Sequence, residues 1–218
     1  MAASVYAFFG IQGSGKGTQA KLLAEEFLLK HISMGDMLRE MAASGSLLGQ
    51  NVKELIDAGN LVPNEIIVQV AEERLQKPDC IHGIVLDGFI RTDVQAVAID
   101  AMLKSIGKPL TAAVLIDLPE AEIFSRLNDR LSCPVDGSVY NLKTAPPKQA
   151  GICDQCGANL LQRADDMDTE FIKTRIQHFY DSTGKAIEYF RSLNKLISVN
   201  GCQHIAAVYR ELKSKLGL

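Results

Sequence analysis

Two stretches of this 218-residue chain carry side chains at spacings that do chemistry. The first, Gly10-Ile11-Gln12-Gly13-Ser14-Gly15-Lys16-Gly17-Thr18, follows the apolar run Val5-Tyr6-Ala7-Phe8-Phe9 and precedes a helical pattern that starts near Thr18. Strand, glycine-rich loop and helix in that order are the context of a phosphate-binding loop. The glycines let backbone N–H groups turn inward, the helix N-terminus adds partial positive charge, and Lys16 reaches the terminal phosphates of a triphosphate. The strict motif has Ser or Thr directly after the lysine. Here Gly17 intervenes and the hydroxyl comes at Thr18, so a magnesium role for that hydroxyl stays open.

The second stretch is Cys133-x-x-Asp136, sixteen residues, then Cys153-x-x-Cys156. This is the paired spacing of a four-ligand zinc site in which Asp replaces one thiolate. Gly137 and Gly157 follow the two pairs, as tight knuckle turns require. With every coordination position filled by protein, such a site is structural and staples a segment too small to build its own core. The alternative is an ordinary Pro-Val-Asp-Gly turn with incidental cysteines. Cys80 and Cys202 fall outside the pattern and read as small buried apolar residues. His31, His82, His178 and His204 show no ligand spacing.

These residues need a scaffold. With 47% hydrophobic and 22% charged residues, the chain has the composition of an ordinary globular protein and enough length for one large domain. A net charge of -3 argues against a general nucleic-acid or anionic-membrane binder. No apolar stretch reaches a membrane-spanning length, no signal segment is evident, and an odd five cysteines suit a reducing compartment, so a cytoplasmic location is expected. Apolar runs at 83–86, 112–116 and 196–199 alternate with helical patterns near 93–105, 120–130 and 169–191. Alternation of this kind predicts an α/β fold with a parallel sheet wrapped by helices. Two segments interrupt it: 33–62, read as two or three short helices broken at Gly45, Gly49 and Gly59, and a Pro-, Gly- and Cys-rich stretch over 133–162. Both are expected over the C-terminal edge of the sheet, where open α/β folds bind ligands.

The variant Gly15-Lys16-Gly17-Thr18, with His31-Ile32-Ser33-Met34-Gly35-Asp36-Met37-Leu38-Arg39, Gly59-Asn60-Leu61-Val62-Pro63 and Leu86-Asp87-Gly88-Phe89-Ile90-Arg91-Thr92, resembles the adenylate kinases from about Ser4 to Leu216. The resemblance implies a P-loop NTPase-type three-layer α/β fold with a helical AMP-binding insert and a small zinc-ribbon-like lid of the long form. Its implied boundaries are a core of 1–32, 63–128 and 167–218, an insert of 33–62 and a lid of 129–166. The implied activity is reversible transfer of the ATP γ-phosphoryl group to AMP, giving two ADP. Catalytic roles would fall to Lys16, Arg39, Arg91, Arg130, Arg163 and Arg175, whose charges clamp a phosphoryl group held in line between two nucleotides. ATP would be bound by Gly13, Ser14, Gly15, Lys16, Gly17, Thr18, Arg126, Arg130, Val139, Tyr140 and Gln203. AMP would be bound by Ser33, Met34, Arg39, Asn60, Leu61, Val62, Gly88, Phe89, Arg91, Gln95, Arg163 and Arg175, with Gln95 pairing with the base. Asp87 would hold Mg2+ through water, and Cys133, Asp136, Cys153 and Cys156 would hold Zn2+. ATP, AMP and ADP would be the partners of a monomer.

Five positions depart from the family pattern. Gln12 and Ile90 stand where prolines are usual, Met34 where a threonine is, Asn64 where an aspartate is, and Leu131 where many relatives carry a second arginine. A local rearrangement is expected at Ile90, a shift in AMP affinity or base choice at Met34, and a lower turnover from Leu131. Asn64 is expected to cap a helix. A nucleotide-holding regulator without transferase activity is a competing class, against which the arginines speak. A zinc-ribbon nucleic-acid binder is disfavoured because 133–162 holds only Lys143 and Lys148 as basic residues.

Overall fold

The computed structural model describes residues 4–218. Seven strands lie among them: β1 (Ser4–Phe9), β2 (Lys30–Ser33), β3 (Gly83–Asp87), β4 (Ala112–Asp117), β5 (Arg130–Ser132), β6 (Val139–Asn141) and β7 (Leu196–Asn200). Five form one sheet in the order β2-β3-β1-β4-β7, with every adjacent pair parallel. The helices are α1 (Lys16–Glu26), α2 (Met34–Ala43), α3 (Leu47–Asp57), α4 (Asn64–Leu75), α5 (Asp93–Ser105), α6 (Glu120–Asn128), α7 (Thr169–His178), α8 (Gly184–Ser192) and α9 (Ile205–Leu216).

Strand side chains alternate between faces, and in β1 both faces are apolar. Val5, Ala7 and Phe9 join a core with residues of α2, α3, α4, α5 and α8, whereas Tyr6 and Phe8 join a second core with α1 and α9. That division produces the three layers. The strands expected at 5–9, 83–86, 112–116 and 196–199 are present within a residue or two of those limits. The four-residue edge strand β2 has only one buried side chain, Ile32, and carries little apolar pattern to announce it. Helix α9 likewise was not expected from the sequence.

The expected helix over 169–191 is two helices joined through a π-helical turn, Phe179–Thr183. There the Thr183 hydroxyl donates to the Arg91 carbonyl at 3.2 Å, which ties the turn to the loop after β3. In 33–62 the chain forms two helices, and the breaks fall at Gly45 and Gly59 but not at Gly49. Gly49 lies inside α3 because α2 approaches it: a Cβ there would come within 2.3 Å of the Met41 carbonyl oxygen. Cys202 is also corrected. It is exposed, in a turn after β7 whose backbone is held by the Asn200 side chain.

All of this places chemistry at one edge. The phosphate loop follows β1, Ser33 ends β2 and Asp87 ends β3, with Ser33 and Asp87 paired in register. The crevice beyond the carboxyl ends of parallel strands is where backbone dipoles and helix N-termini converge. The segment 129–166 lies over the same edge as the β5–β6 hairpin, extended by isolated bridges Ser132–Leu161 and Ile152–Asn159, around a small core of Cys133, Cys153 and Leu160. Leu131 packs against that small core. No helix of the described residues is long and apolar enough to cross a membrane.

Leu86 is fully buried in β3, one residue before Asp87. Leu86→Ala is expected to lower stability by about 2–5 kcal/mol in urea unfolding, because the rigid sheet cannot collapse onto the cavity.

Candidate active site

The loop after β1 is a curled backbone ending in a helix. Gly13 and Gly15 take φ of +85° and +88°, the Ser14 N–H donates to the Ile11 carbonyl at 3.0 Å, and α1 begins at Lys16. Gly17 has a different reason to be glycine. A Cβ there would meet Asp87 Oδ2 at 3.0 Å, so the residue that breaks the strict phosphate-loop pattern is the one that lets the Asp87 carboxylate approach the helix N-terminus.

Lys16 lies between opposing influences. Desolvation pushes its ammonium down to about 8, helped by Arg91, Arg175 and Arg130 and opposed by Asp87. Asp87 is the counterpart: its desolvation is outweighed by Lys16 and His31, which hold the carboxyl below the usual range and keep it ionised at neutral pH. His31 Nε2 stands 3.6 Å from Asp87 Oδ2. Asp87 Oδ1 is buried without a hydrogen-bond partner among the described residues. A buried, charged oxygen with spare lone pairs fits the water shell of a magnesium ion, which prefers few carboxylates and several waters.

The arginines come together from four parts of the chain. Desolvation and their neighbours' charges lower Arg91, Arg163 and Arg175, although a guanidinium keeps its proton at neutral pH. Each is anchored. Arg130 forks onto the Asp166 carboxylate, with Nε 2.6 Å from Oδ2; Arg175 pairs with Asp165 at 3.2 Å; Arg163 Nε donates to Ser132 Oγ at 2.9 Å; and Arg39 pairs with Asp36. Asp36 is the first-turn acid of α2, whose N-cap is Ser33.

A cleft of about 1400 Å³ runs across this edge and is lined by Lys16, Arg39, Arg91, Arg130, Arg163 and Arg175. It is also lined by Gly13, Ser14, Gly15, Gly17, Thr18, Ser33, Asp87 and Gly88, and at its far side by Arg126, Val139, Tyr140 and Gln203. Arg126 is held there by the Gly201 carbonyl at 2.7 Å, and Gln203 Nε2 donates to Asn200 O and to Glu211. The 129–166 segment meets the core here: Lys21 Nζ on α1 donates to the Gly137 carbonyl at 3.0 Å.

A smaller recess of about 70 Å³ adjoins the cleft, lined by Met34, Asn60, Leu61, Val62, Phe89 and Gln95, with Arg39, Gly88, Arg91 and Arg175 at its mouth. Met34 is 2% exposed, so only a sliver of its thioether faces the recess. The buried Gln95 amide is already partly engaged: Oε1 accepts from the Arg91 N–H at 2.7 Å and Nε2 donates to Asn64 Oδ1 at 3.0 Å. One N–H and one lone pair remain free on it. Asn64 therefore does not cap α4 as expected. Pro63 precedes the helix, and the Asn64 amide oxygen instead accepts from Thr92 and Gln95 and fixes the orientation of Gln95. At Ile90, which is buried, the described peptide bonds are all trans.

The second constellation also assembles. One ligand atom from each of Cys133, Asp136, Cys153 and Cys156 lies within 4.8 Å of all the others. Cys133 Sγ is 3.4 Å from Cys156 Sγ, and Cys153 Sγ is 3.2 Å from Asp136 Oδ2. Gly137 and Gly157 have positive φ, and their N–H groups close turns onto the Cys133 and Cys153 carbonyls. The crowding shows in the charges. Hydrogen bonds led by Ser138 hold Asp136 below the usual carboxylate range. At Cys156 a backbone hydrogen bond from Ala158 is outweighed by Asp136 and Cys133, and the thiol is pushed up to about 12. Three sulfurs and one carboxylate in this cluster fit a divalent metal of borderline softness.

The adenylate kinase family model matches residues 8–195. The chain belongs to the adenylate kinase family. It is 43% identical over 209 residues to an adenylate kinase of Archaeoglobus fulgidus, covering 96% of each chain. It is 44% identical over 205 residues to one of Petrotoga mobilis, covering 94% of each, and 40% identical over 210 residues to one of Fervidobacterium nodosum, covering 96% of each. Every adenylate kinase motif found in the sequence thus falls around one cleft, its side recess or the metal cluster beside it. Sequence reasoning missed the residues that hold the cations in place, Asp165, Asp166 and Ser132, and also the contacts of Gln12 with the acidic pair and of Asn64 with Gln95. The only available signal was the Asp165-Asp166 pair two residues after Arg163.

Because burial lowers Lys16 and Asp87 opposes that shift, an NMR titration of the lysine Nζ in the nucleotide-free protein should give a midpoint near 8. In Asp87→Asn the midpoint should move lower still, since the interaction that favours the ammonium is gone.

Proposed function

We propose that this chain transfers the γ-phosphoryl group of ATP reversibly to AMP, giving two ADP. The observation that carries the reading is the convergence of Lys16 and five arginines, four of them anchored, on one cleft with a small recess beside it. Phosphoryl transfer asks little covalent chemistry of a protein and much positioning and charge. Lys16 and the N–H groups of the Gly13–Thr18 loop hold the triphosphate. Arg39 and Arg91, at the mouth of the recess, grip the AMP phosphate. Arg130, Arg163 and Arg175 surround the group in transit, where charge spreads over its equatorial oxygens and a bidentate guanidinium fits best. Magnesium bound with ATP would offset phosphate charge, and the Asp87 carboxylate would hold it through its water shell.

The remaining N–H and lone pair of Gln95 match the donor and acceptor on the pairing edge of adenine. Asn64 keeps that amide from flipping. Arg126, Val139, Tyr140 and Gln203 form the ATP side. We assign 1–32, 63–128 and 167–218 to the core, 33–62 to an AMP-binding insert and 129–166 to a lid, in a protein acting as a monomer. Closure of lid and insert expels water that would otherwise take the phosphoryl group.

In the lid, Cys133, Asp136, Cys153 and Cys156 would hold a structural zinc ion. Zinc would supply no catalysis there, since protein fills all four positions. It would replace the mutual repulsion of acid and thiolates with attraction, and so let a hairpin with a core of only three buried residues stay folded.

With ATP, magnesium and a panel of AMP, GMP, CMP and UMP, rapid ADP formation is expected from AMP alone. Arg91→Ala should slow it by about a hundredfold or more. An inert AMP, or transfer to another monophosphate, would move the assignment to a kinase of altered base choice, with Met34 as the first residue to revert. Elemental analysis should give about one zinc per chain, lost in Cys153→Ser along with thermal stability; an equally stable metal-free protein would refute the zinc assignment.

A further inference from the structure

Gln12 is a buried polar side chain that the reaction as described leaves unused. It sits in the phosphate loop at 8% exposure, on the wall of the cleft. Its Nε2 donates to Asp166 Oδ1 at 2.8 Å and to the Asp165 carbonyl at 3.3 Å, more than 150 residues away in the chain. Its Oε1 has no partner among the described residues, so the amide is held from its donor side alone.

The partner decides what this contact does. The Asp166 side chain is 0% exposed, and its two oxygens already take the Arg130 fork, Nε on one and Nη2 on the other. A fully buried carboxylate has a fixed place, and the guanidinium it holds has a fixed plane. Asp165, next along the chain, pairs with Arg175. The acidic pair is therefore the seat of two clamp arginines, and Gln12 is the hydrogen-bonded side chain that fastens this seat to the loop carrying Lys16.

We infer that Gln12 is a positioning residue: through Asp166 it sets Arg130 relative to the phosphate loop, so that the guanidinium meets the phosphoryl group in transit. The inference rests on the proposed role of Arg130. Without the Gln12 N–H, the Arg130–Asp166 pair survives, because both partners remain. What is lost is its registration against the loop, and a 1 Å error in such a group is enough to slow transfer. Binding in the ground state is carried by Lys16, the loop and the other arginines. The loss should therefore appear in kcat, with the dissociation constants of ATP and AMP unchanged.

A double-mutant cycle on the full chain tests this. Gln12→Leu, which keeps the bulk and removes the donor, and Gln12→Asn, which keeps the amide but falls one methylene short of Asp166, are measured with Arg130 intact and in the Arg130→Ala background. Thermal melts confirm folding of each variant, and either Gln12 variant alone suffices. With Arg130 intact, kcat should fall by about tenfold, as loss of a hydrogen bond to a charged group predicts, with ATP and AMP affinities held within twofold. In the Arg130→Ala background the same change should cost less than twofold, since there is no guanidinium left to position. An unchanged kcat, an equal loss in both backgrounds, or a loss carried by affinity would overturn the inference while leaving the clamp reading standing. An Arg130→Ala variant as fast as the parent would overturn the clamp reading and this inference together.

Discussion

Like charges crowded into a cleft repel one another, and the rest of this structure is organised around withstanding that repulsion. Lys16, Arg91, Arg163 and Arg175 all lose basicity to desolvation and to the charge of neighbouring arginines. A site in that condition favours a polyanion over water, which is the property a kinase of nucleotides needs. The same condition would drive the side chains apart if nothing opposed it. Four acids do: Asp87 faces Lys16, Asp36 holds Arg39, Asp165 holds Arg175 and Asp166 holds Arg130. Each acid offsets part of the positive field and at the same time fixes where its partner points.

The sheet supplies the rigidity that makes such opposition useful. Asp87 ends a strand whose preceding residues Ile84, Val85 and Leu86 are fully buried, so its carboxylate cannot retreat from Lys16. Gly17 answers it from the helix side by having no side chain to obstruct the approach. Asp165 and Asp166 lie at the end of the 129–166 segment, where they hold Arg130, at its start, and Arg175, on α7. The position of the 129–166 segment and the placement of these two arginines are thus physically linked. The same carboxylates that seat the arginines lie where the 129–166 segment joins α7.

The departures from the family pattern take on specific meanings in that setting. Asn64 turns from a helix cap into the group that orients Gln95. Met34 presents little of itself to the recess because its thioether completes the core between α2 and the sheet. Leu131 goes into the small apolar cluster beside the cysteines in the 129–166 segment. Each substitution is absorbed by packing or hydrogen bonding that neighbours in the chain do not announce.

What the sequence by itself determined were features written in local spacing: the phosphate loop between strand and helix, the knuckle pairs Cys133-x-x-Asp136 and Cys153-x-x-Cys156, and the alternation of buried strands with helices. Those patterns are legible because a loop of glycines, a pair of ligands on one turn or a strand buried on both faces depends on residues a few positions apart. The edge strand β2, with one buried side chain, was not legible, nor was the role of Gly49, whose reason is the backbone of another helix. Only the tertiary structure decided which cations face one another, which acids seat them, and that the Gln12 amide reaches Asp165 and Asp166. The Gln12 contacts join residues more than 150 positions apart, and electrostatic balance in a desolvated cleft depends on distances that no local pattern encodes.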